Sequence, residues 1–252
     1  MGTIDTIWLR EMKRFVRARS RIVGNLSMPF VWLVIMGFGL SSSFTLPGVP
    51  FSYLEFFAPG IIGMTLLFTS IFAGISVIWE KQFGFLKEIL VAPASRTAIA
   101  VGKMAGSVTV AMINGLLLFA IALLMGALPL AGLSAAGVAA ALVCMALISA
   151  FFVSVGLILA SRLDNMEGFQ MIMSFLVMPT FFLSGAFFPL ATAPGWMQAL
   201  AFVNPLRYGV DGLRGSLLGV AELPLVVDLA VLAGAAVAAT LVAGYAFRKI
   251  RL

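Results

Sequence analysis

Six stretches of this chain run for more than twenty residues with almost no charge: 22–44, 56–79, 104–128, 135–160, 169–190 and 224–247. The first five hold no Asp, Glu, Lys or Arg, and the sixth holds only Asp228, near one end. A helix rises about 1.5 Å per residue, so roughly 20 apolar residues cross the about 30 Å of hydrocarbon in a bilayer. A membrane β-barrel would instead alternate apolar and polar residues with period two, and these stretches do not alternate. They predict an all-α membrane protein of six transmembrane helices. The third and fourth are separated only by residues 129–134, which predicts an antiparallel helical hairpin. A cationic lead precedes the first stretch, but no small-residue cleavage site follows its core, so it reads as an uncleaved helix.

Composition agrees with a chain that lives in lipid. Hydrophobic residues make up 62% and charged ones only 10%, against roughly 25% charged in a soluble domain. The basic residues that exist are unevenly placed. With the N-terminus inside, every Lys and Arg except Arg207 and Arg214 falls before the first span, between the second and third, between the fourth and fifth, or at the C-terminus. Cytoplasmic loops keep positive charge, so both termini are expected in the cytoplasm of a prokaryotic cell, with the chain multi-pass in its plasma (inner) membrane. The net charge of +6 then belongs to topology and to membrane lipid, and no nucleic-acid partner is needed to explain it.

Three segments between the spans carry their own patterns. Residues 1–21 place Ile4, Trp8, Met12, Phe15 and Arg19 at helical spacing, with Arg10, Lys13, Arg14 and Arg17 largely elsewhere; this predicts an amphipathic helix in the inner interface. In the loop from Glu80 to Lys103, Lys81, Lys87 and Glu88 punctuate Phe83, Phe85, Leu86, Ile89 and Leu90. Gly84 permits a change of direction and Pro93 ends any helix. A short cytoplasmic helix follows, which either docks in a groove on another protein or packs back against the bundle. Residues 191–223 hold two short helices split at Asn204-Pro205. The second sets Leu206, Val210, Leu213 and Leu217 on one face and Arg207, Asp211 and Arg214 on the other. The pair either dips into the outer leaflet and returns or lies flat on the outer surface.

The chain lacks the residues of most self-contained engines. It has no G-x-x-x-x-G-K-[ST] phosphate loop, no His for a catalytic triad or metal site, and a single Cys144. Ion-coupled carriers place ionisable groups inside the bundle, and five charge-free spans argue against that. It is therefore expected not to be an enzyme, and to bind no metal or cofactor of its own.

Four blocks, in order along the chain, resemble the type-2 ABC transporter permeases, including daunorubicin-type and nodulation-factor-type exporters. They are Phe57-Ala58-Pro59-Gly60-Ile61-Ile62; Glu80 through Pro93-Ala94-Ser95-Arg96 to Gly102-Lys103; Ser184-Gly185-Ala186-Phe187-Phe188-Pro189; and Asn204-Pro205-Leu206-Arg207-Tyr208 with Asp211-Gly212 and Arg214. One departure is that Lys81 and Gln82 follow Glu80, where many members carry a second acidic residue. The resemblance implies a single permease domain over 1–252: a cytoplasmic amphipathic helix (1–21), five spans (22–190), an outer re-entrant helix pair (191–223), the sixth span (224–247) and a cytoplasmic tail (248–252). It implies pairing with a second permease copy, a homodimer in preference to a heterodimer, and with two copies of a separate cytoplasmic ABC ATPase that holds ATP and Mg. On it, Glu80, Gly84, Phe85, Leu86, Lys87, Ile89 and Leu90 form the ATPase-coupling helix. Ser70, Ser174, Thr180, Phe181 and Phe182 line the substrate path, and Asn204, Pro205, Arg207, Asp211 and Arg214 belong to the outer gate. The implied cargo is amphiphilic or hydrophobic: a drug, glycolipid or lipid-linked glycan. The rivals are an ion-coupled or passive small-solute carrier and a non-transporting membrane scaffold.

Overall fold

The computed structural model describes residues 2–41, 52–85, 95–129, 132–163 and 165–249. Among these the chain is helical throughout, with no strand. Helix α1 spans Thr3–Arg17 and α2 Arg19–Trp32, which continues through a π-helical segment, Leu33–Phe38, to a last α-turn at Gly39–Ser41. Then follow α3 (Tyr53–Gln82), α4 (Arg96–Leu124), α5 (Ala135–Arg162), α6 (Met166–Phe182), α7 (Gly195–Phe202), α8 (Pro205–Leu218) and α9 (Leu225–Arg248). Five segments are long and apolar enough to cross a bilayer: Ile22–Ser41, α3, α4, α5 and α9. The sixth apolar helix, α6, has 17 residues.

Helix starts are set by small polar side chains that accept otherwise unpaired N–H groups. Ser52 accepts from Glu55 N, and its own N–H donates to Glu55 Oε2 at 2.7 Å, a reciprocal cap for α3. Ser95, Ser134 and Asn165 cap α4, α5 and α6 by accepting from the N–H three residues on.

The fifth apolar stretch is shorter as a helix than its composition predicts. Sequence alone extends it over 169–190, whereas α6 stops at Phe182. Ser184 Oγ donates to Phe181 O and accepts from Ala186 N, offering the backbone a partner outside the helix. Gly185 then turns the chain at φ +73°, a conformation that favours glycine. Phe187 holds the turn in place, packing edge-on against Trp32, Phe57 and Phe181, while Tyr53 Oη donates to its carbonyl.

Helix α3 is the axis of the bundle and packs on the first span, α4, α5, α6 and α8. At its crossing with α5 the two backbones touch through glycine. A Cβ on Gly74 would run into the Gly156 carbonyl, and one on Gly156 would sit 2.6 Å from Ile71 O. Without a hydrophobic drive between helices in lipid, such close backbone packing is a main source of association. Glycines also seat α1 against α4: a Cβ on Gly102 would lie 2.9 Å from Ile7 Cβ, and one on Gly106 2.8 Å from Glu11 Cβ. The face of α1 buried on α4 is therefore Ile7, Glu11 and Phe15, while Ile4 and Trp8 of the expected apolar stripe stay exposed and Trp8 Nε1 donates to Thr109 Oγ1.

Gly156→Val should lower the thermal midpoint of the detergent-purified protein, at a cost of about 1–3 kcal/mol from forced repacking. Gly234→Ala, at a position with nothing within 4 Å, should leave the midpoint nearly unchanged.

Candidate functional site

The charged residues gather in two clusters, joined to different ends of α3. At its C-terminal end, Glu80 is only 4% exposed and Lys103 of α4 only 3%. Lys103 Nζ donates to Glu80 Oε2. From α1, Arg10 Nη2 donates to Glu80 Oε1 at 3.1 Å, and Arg14 Nη1 stands 3.8 Å from the same oxygen. Glu11 completes the cluster, 4.0 Å from Lys103 Nζ and 3.9 Å from Arg14. Lys103 lies between Gly102 and Gly106, so the contact that admits α1 also places the amine beneath it. A carboxylate and an ammonium this deeply buried hold only as a pair, because either alone would lack its hydration. Close by, Lys81 Nζ donates to the Ser161 and Leu163 carbonyls at the C-terminus of α5, where a cation also meets the negative end of the helix dipole.

Beyond this cluster the chain leaves α3 and turns at Gly84, φ +77°. Phe83 and Phe85 on either side are 65% and 55% exposed. Of the residues expected to couple to an ATPase, Glu80 thus faces the chain's own cations, while Gly84 and Phe85 stand just outside. Leu86, Lys87, Ile89 and Leu90 lie outside the described residues.

The second cluster surrounds α8. Arg207, Asp211 and Arg214 are buried along with Leu206, Val210, Leu213 and Leu217. The polar face expected from the spacing therefore meets protein, since α8 packs on α3, α5 and α9. Each charge has a structural partner. Arg207 pairs with Glu222 at 3.2 Å and lies over the Phe202 ring. Asp211 accepts from Glu222 N at 2.9 Å and Leu223 N at 2.8 Å, holding the connection to α9. Arg214 donates to Gly185 O at 2.9 Å and stacks 3.9 Å from the centre of Phe56. Asn204 caps α8 by accepting from Leu206 N and also donates to Thr180 O of α6 at 2.7 Å, and Pro205 takes the first helical position. Asp228 is fully buried beside Gly212, and neither of its carboxyl oxygens bonds to protein.

The path residues are dispersed. Ser174 lines a cavity of about 200 Å³ between α3 and α6, with Phe68, Phe72, Met173 and Val177 among its walls. Its Oγ, like Thr180 Oγ1, donates to the carbonyl one turn back. Ser70 is fully buried within α3. Phe181 packs into the Phe187 cluster, and Phe182 is partly exposed.

Lys103, Arg10 and Arg14 as partners of Glu80, and Glu222 as the partner of Arg207, escape sequence reasoning. The one local signal is a lysine inside Gly102-Lys103-Met104-Ala105-Gly106, where small residues invite another helix.

Comparison with known proteins places these features in context. The family described as ABC-2 type transporter matches residues 3–218. Inner membrane transport permease YadH of Escherichia coli (strain K12) is 28% identical over 91% of this chain and 88% of its own length. Putative transport permease ycf38 of Porphyra purpurea is 28% identical over 84% of this chain and 72% of its own. Nodulation protein J of Rhizobium leguminosarum bv. viciae is 26% identical, covering 84% and 81% respectively.

Glu80→Gln leaves Lys103 without a full counter-charge, and the isolated chain should lose about 3–5 kcal/mol of unfolding stability in detergent. Glu80→Leu with Lys103→Leu should lose far less. A carboxylate needed only by a separate subunit would show neither effect. Asp211→Ala frees two loop N–H groups; faster limited proteolysis within 219–223 and a loss of about 1.5–3 kcal/mol are expected.

Proposed function

The chain belongs to the ABC-2 type transporter family as a membrane permease subunit, and on that premise we propose that it forms the export path of an ATP-driven complex in a prokaryotic inner membrane. The whole of 1–252 acts as one permease domain with both termini in the cytoplasm. Helix α6 is the fifth of six crossings: its 17 residues span about 25 Å, and the 183–189 turn completes the passage. Helices α7 and α8 dip into the outer leaflet and return, which the burial of both faces of α8 favours. Two permease copies, identical in the simplest assembly, enclose the path, and two cytoplasmic ABC ATPase subunits carry ATP and Mg.

The observation that carries this reading is the exit from α3. A buried ionic cluster anchors the helix end, and directly beyond it a positive-φ glycine presents two exposed aromatic rings. Exposed rings on a firmly held turn suit a groove on another protein. Force applied by the ATPase along 84–90 would pass through Glu80 into α1, α3 and α4 together. Nucleotide changes the arrangement only through its different affinity for the two states of the complex. The cavity at Ser174, walled by Phe and Met, supports an amphiphilic or hydrophobic cargo moving between α3 and α6.

Co-purification with candidate ABC ATPases, followed by turnover in proteoliposomes, tests this. Gly84→Pro imposes a φ near −65° where the chain needs +77°, and Leu86→Asp puts a charge beside Phe85 in the sequence. Each should remove most of the permease's stimulation of ATP turnover while leaving the basal turnover of the ATPase alone unchanged. Unchanged turnover in both variants, or uphill transport by the permease without any ATPase, would overturn the assignment.

A further inference from the structure

Two cavities meet at Arg10 and Arg14. One, of about 590 Å³, is walled by Ile75, Trp79, Phe83 and Met166, with Ser76 and the Glu80 carboxylate at its polar side. The other, of about 610 Å³, continues along α1 past Lys13 and Arg17. Both are lined by Arg10 and Arg14, whose side chains are 43% and 38% exposed although each faces Glu80. Glu80 already has the buried Lys103, so the arginines are not needed to neutralise it. Counting Lys13 and Arg17, positive charge around this cleft exceeds that of Glu80 and Glu11. Asp5, the other acid of α1, is engaged at the helix start by the N–H of Gly2.

We propose that this composite cleft is a binding site for an anionic phospholipid, with its phosphate between Arg10 and Arg14 and its acyl chains along Ile75, Trp79 and Met166. The two halves select the occupant together. A soluble anion would use the cations and leave the aromatic wall bare; an uncharged lipid would do the reverse. A guanidinium has five N–H donors in a rigid fork, so one can hold Glu80 and still meet a phosphate. The wall belongs to the end of a membrane-spanning helix, where lipid headgroups lie. The site forms within a single chain and requires neither an ATPase nor transport, so it can fail while the permease assignment stands, and the reverse.

The test uses the purified full chain in phosphatidylcholine vesicles with rising fractions of phosphatidylglycerol carrying brominated acyl chains, which quench nearby tryptophan. Saturable quenching at low phosphatidylglycerol fraction is expected, and its saturable part should vanish in Trp79→Phe. Lys13→Gln with Arg17→Gln leaves the contacts to Glu80 intact and should weaken the apparent affinity roughly 10–30-fold. Any of three results would overturn the proposal: quenching by brominated phosphatidylcholine with the same affinity, binding by both the double variant and Arg10→Gln like the unaltered chain, or displacement of the quenching lipid by inorganic phosphate, which would make the site one for a free anion.

Discussion

A peptide group in hydrocarbon finds no water to bond, and this constraint shapes every part of the chain. It makes the described structure helical and places turns where side chains or close packing can satisfy the backbone. The turn after α6 shows how narrow the solutions are. Ser184 supplies both a donor and an acceptor, Gly185 takes the sharp angle, and Tyr53, Asn204 and Arg214 reach in from elsewhere to bond the carbonyls of Phe187, Thr180 and Gly185. Irregular backbone persists here because two other segments, the start of α3 and α8 with its cap, complete it.

The two charged clusters solve the same problem for side chains. Neither is a solvated surface patch, and each binds helices that are far apart in the chain. Around Glu80, three helices share one carboxylate. Around α8, Arg214 and Asp211 are held largely by backbone atoms, which fixes the helix against the turn and the loop. Firm anchors flanking a bundle whose middle contains only weak polar groups suit a permease that moves as a few rigid pieces.

Much of the fold was legible because apolar length is a local property. Five of the predicted spans coincide with long apolar helices. What was not legible depends on partners distant in sequence. Glu80 pairs with residues 70 positions before it and 23 after it, and no periodicity shows that. Which face of α1 meets α4 was not legible, because the glycines of α4 choose the side that is covered. Spacing correctly separated the charged and apolar faces of α8, but it has no way to reveal that Gly185 and the 222–223 amides await the charged one. The early end of α6 is hidden because Ser-Gly sits within an otherwise apolar run.

The glycine contact between α3 and α5 has one more consequence. Two backbones that touch at one point can pivot there more readily than two held apart by long side chains. Gly74 is well off centre, about 12 Å from the Gln82 end of α3 and about 31 Å from the Tyr53 end at 1.5 Å per residue. A rigid rod tilting on such a fulcrum moves its long arm between two and three times as far as its short one, in the opposite direction. A displacement of an ångström beside Glu80 would thus be magnified, with its sense reversed, at the aromatic cluster around Tyr53.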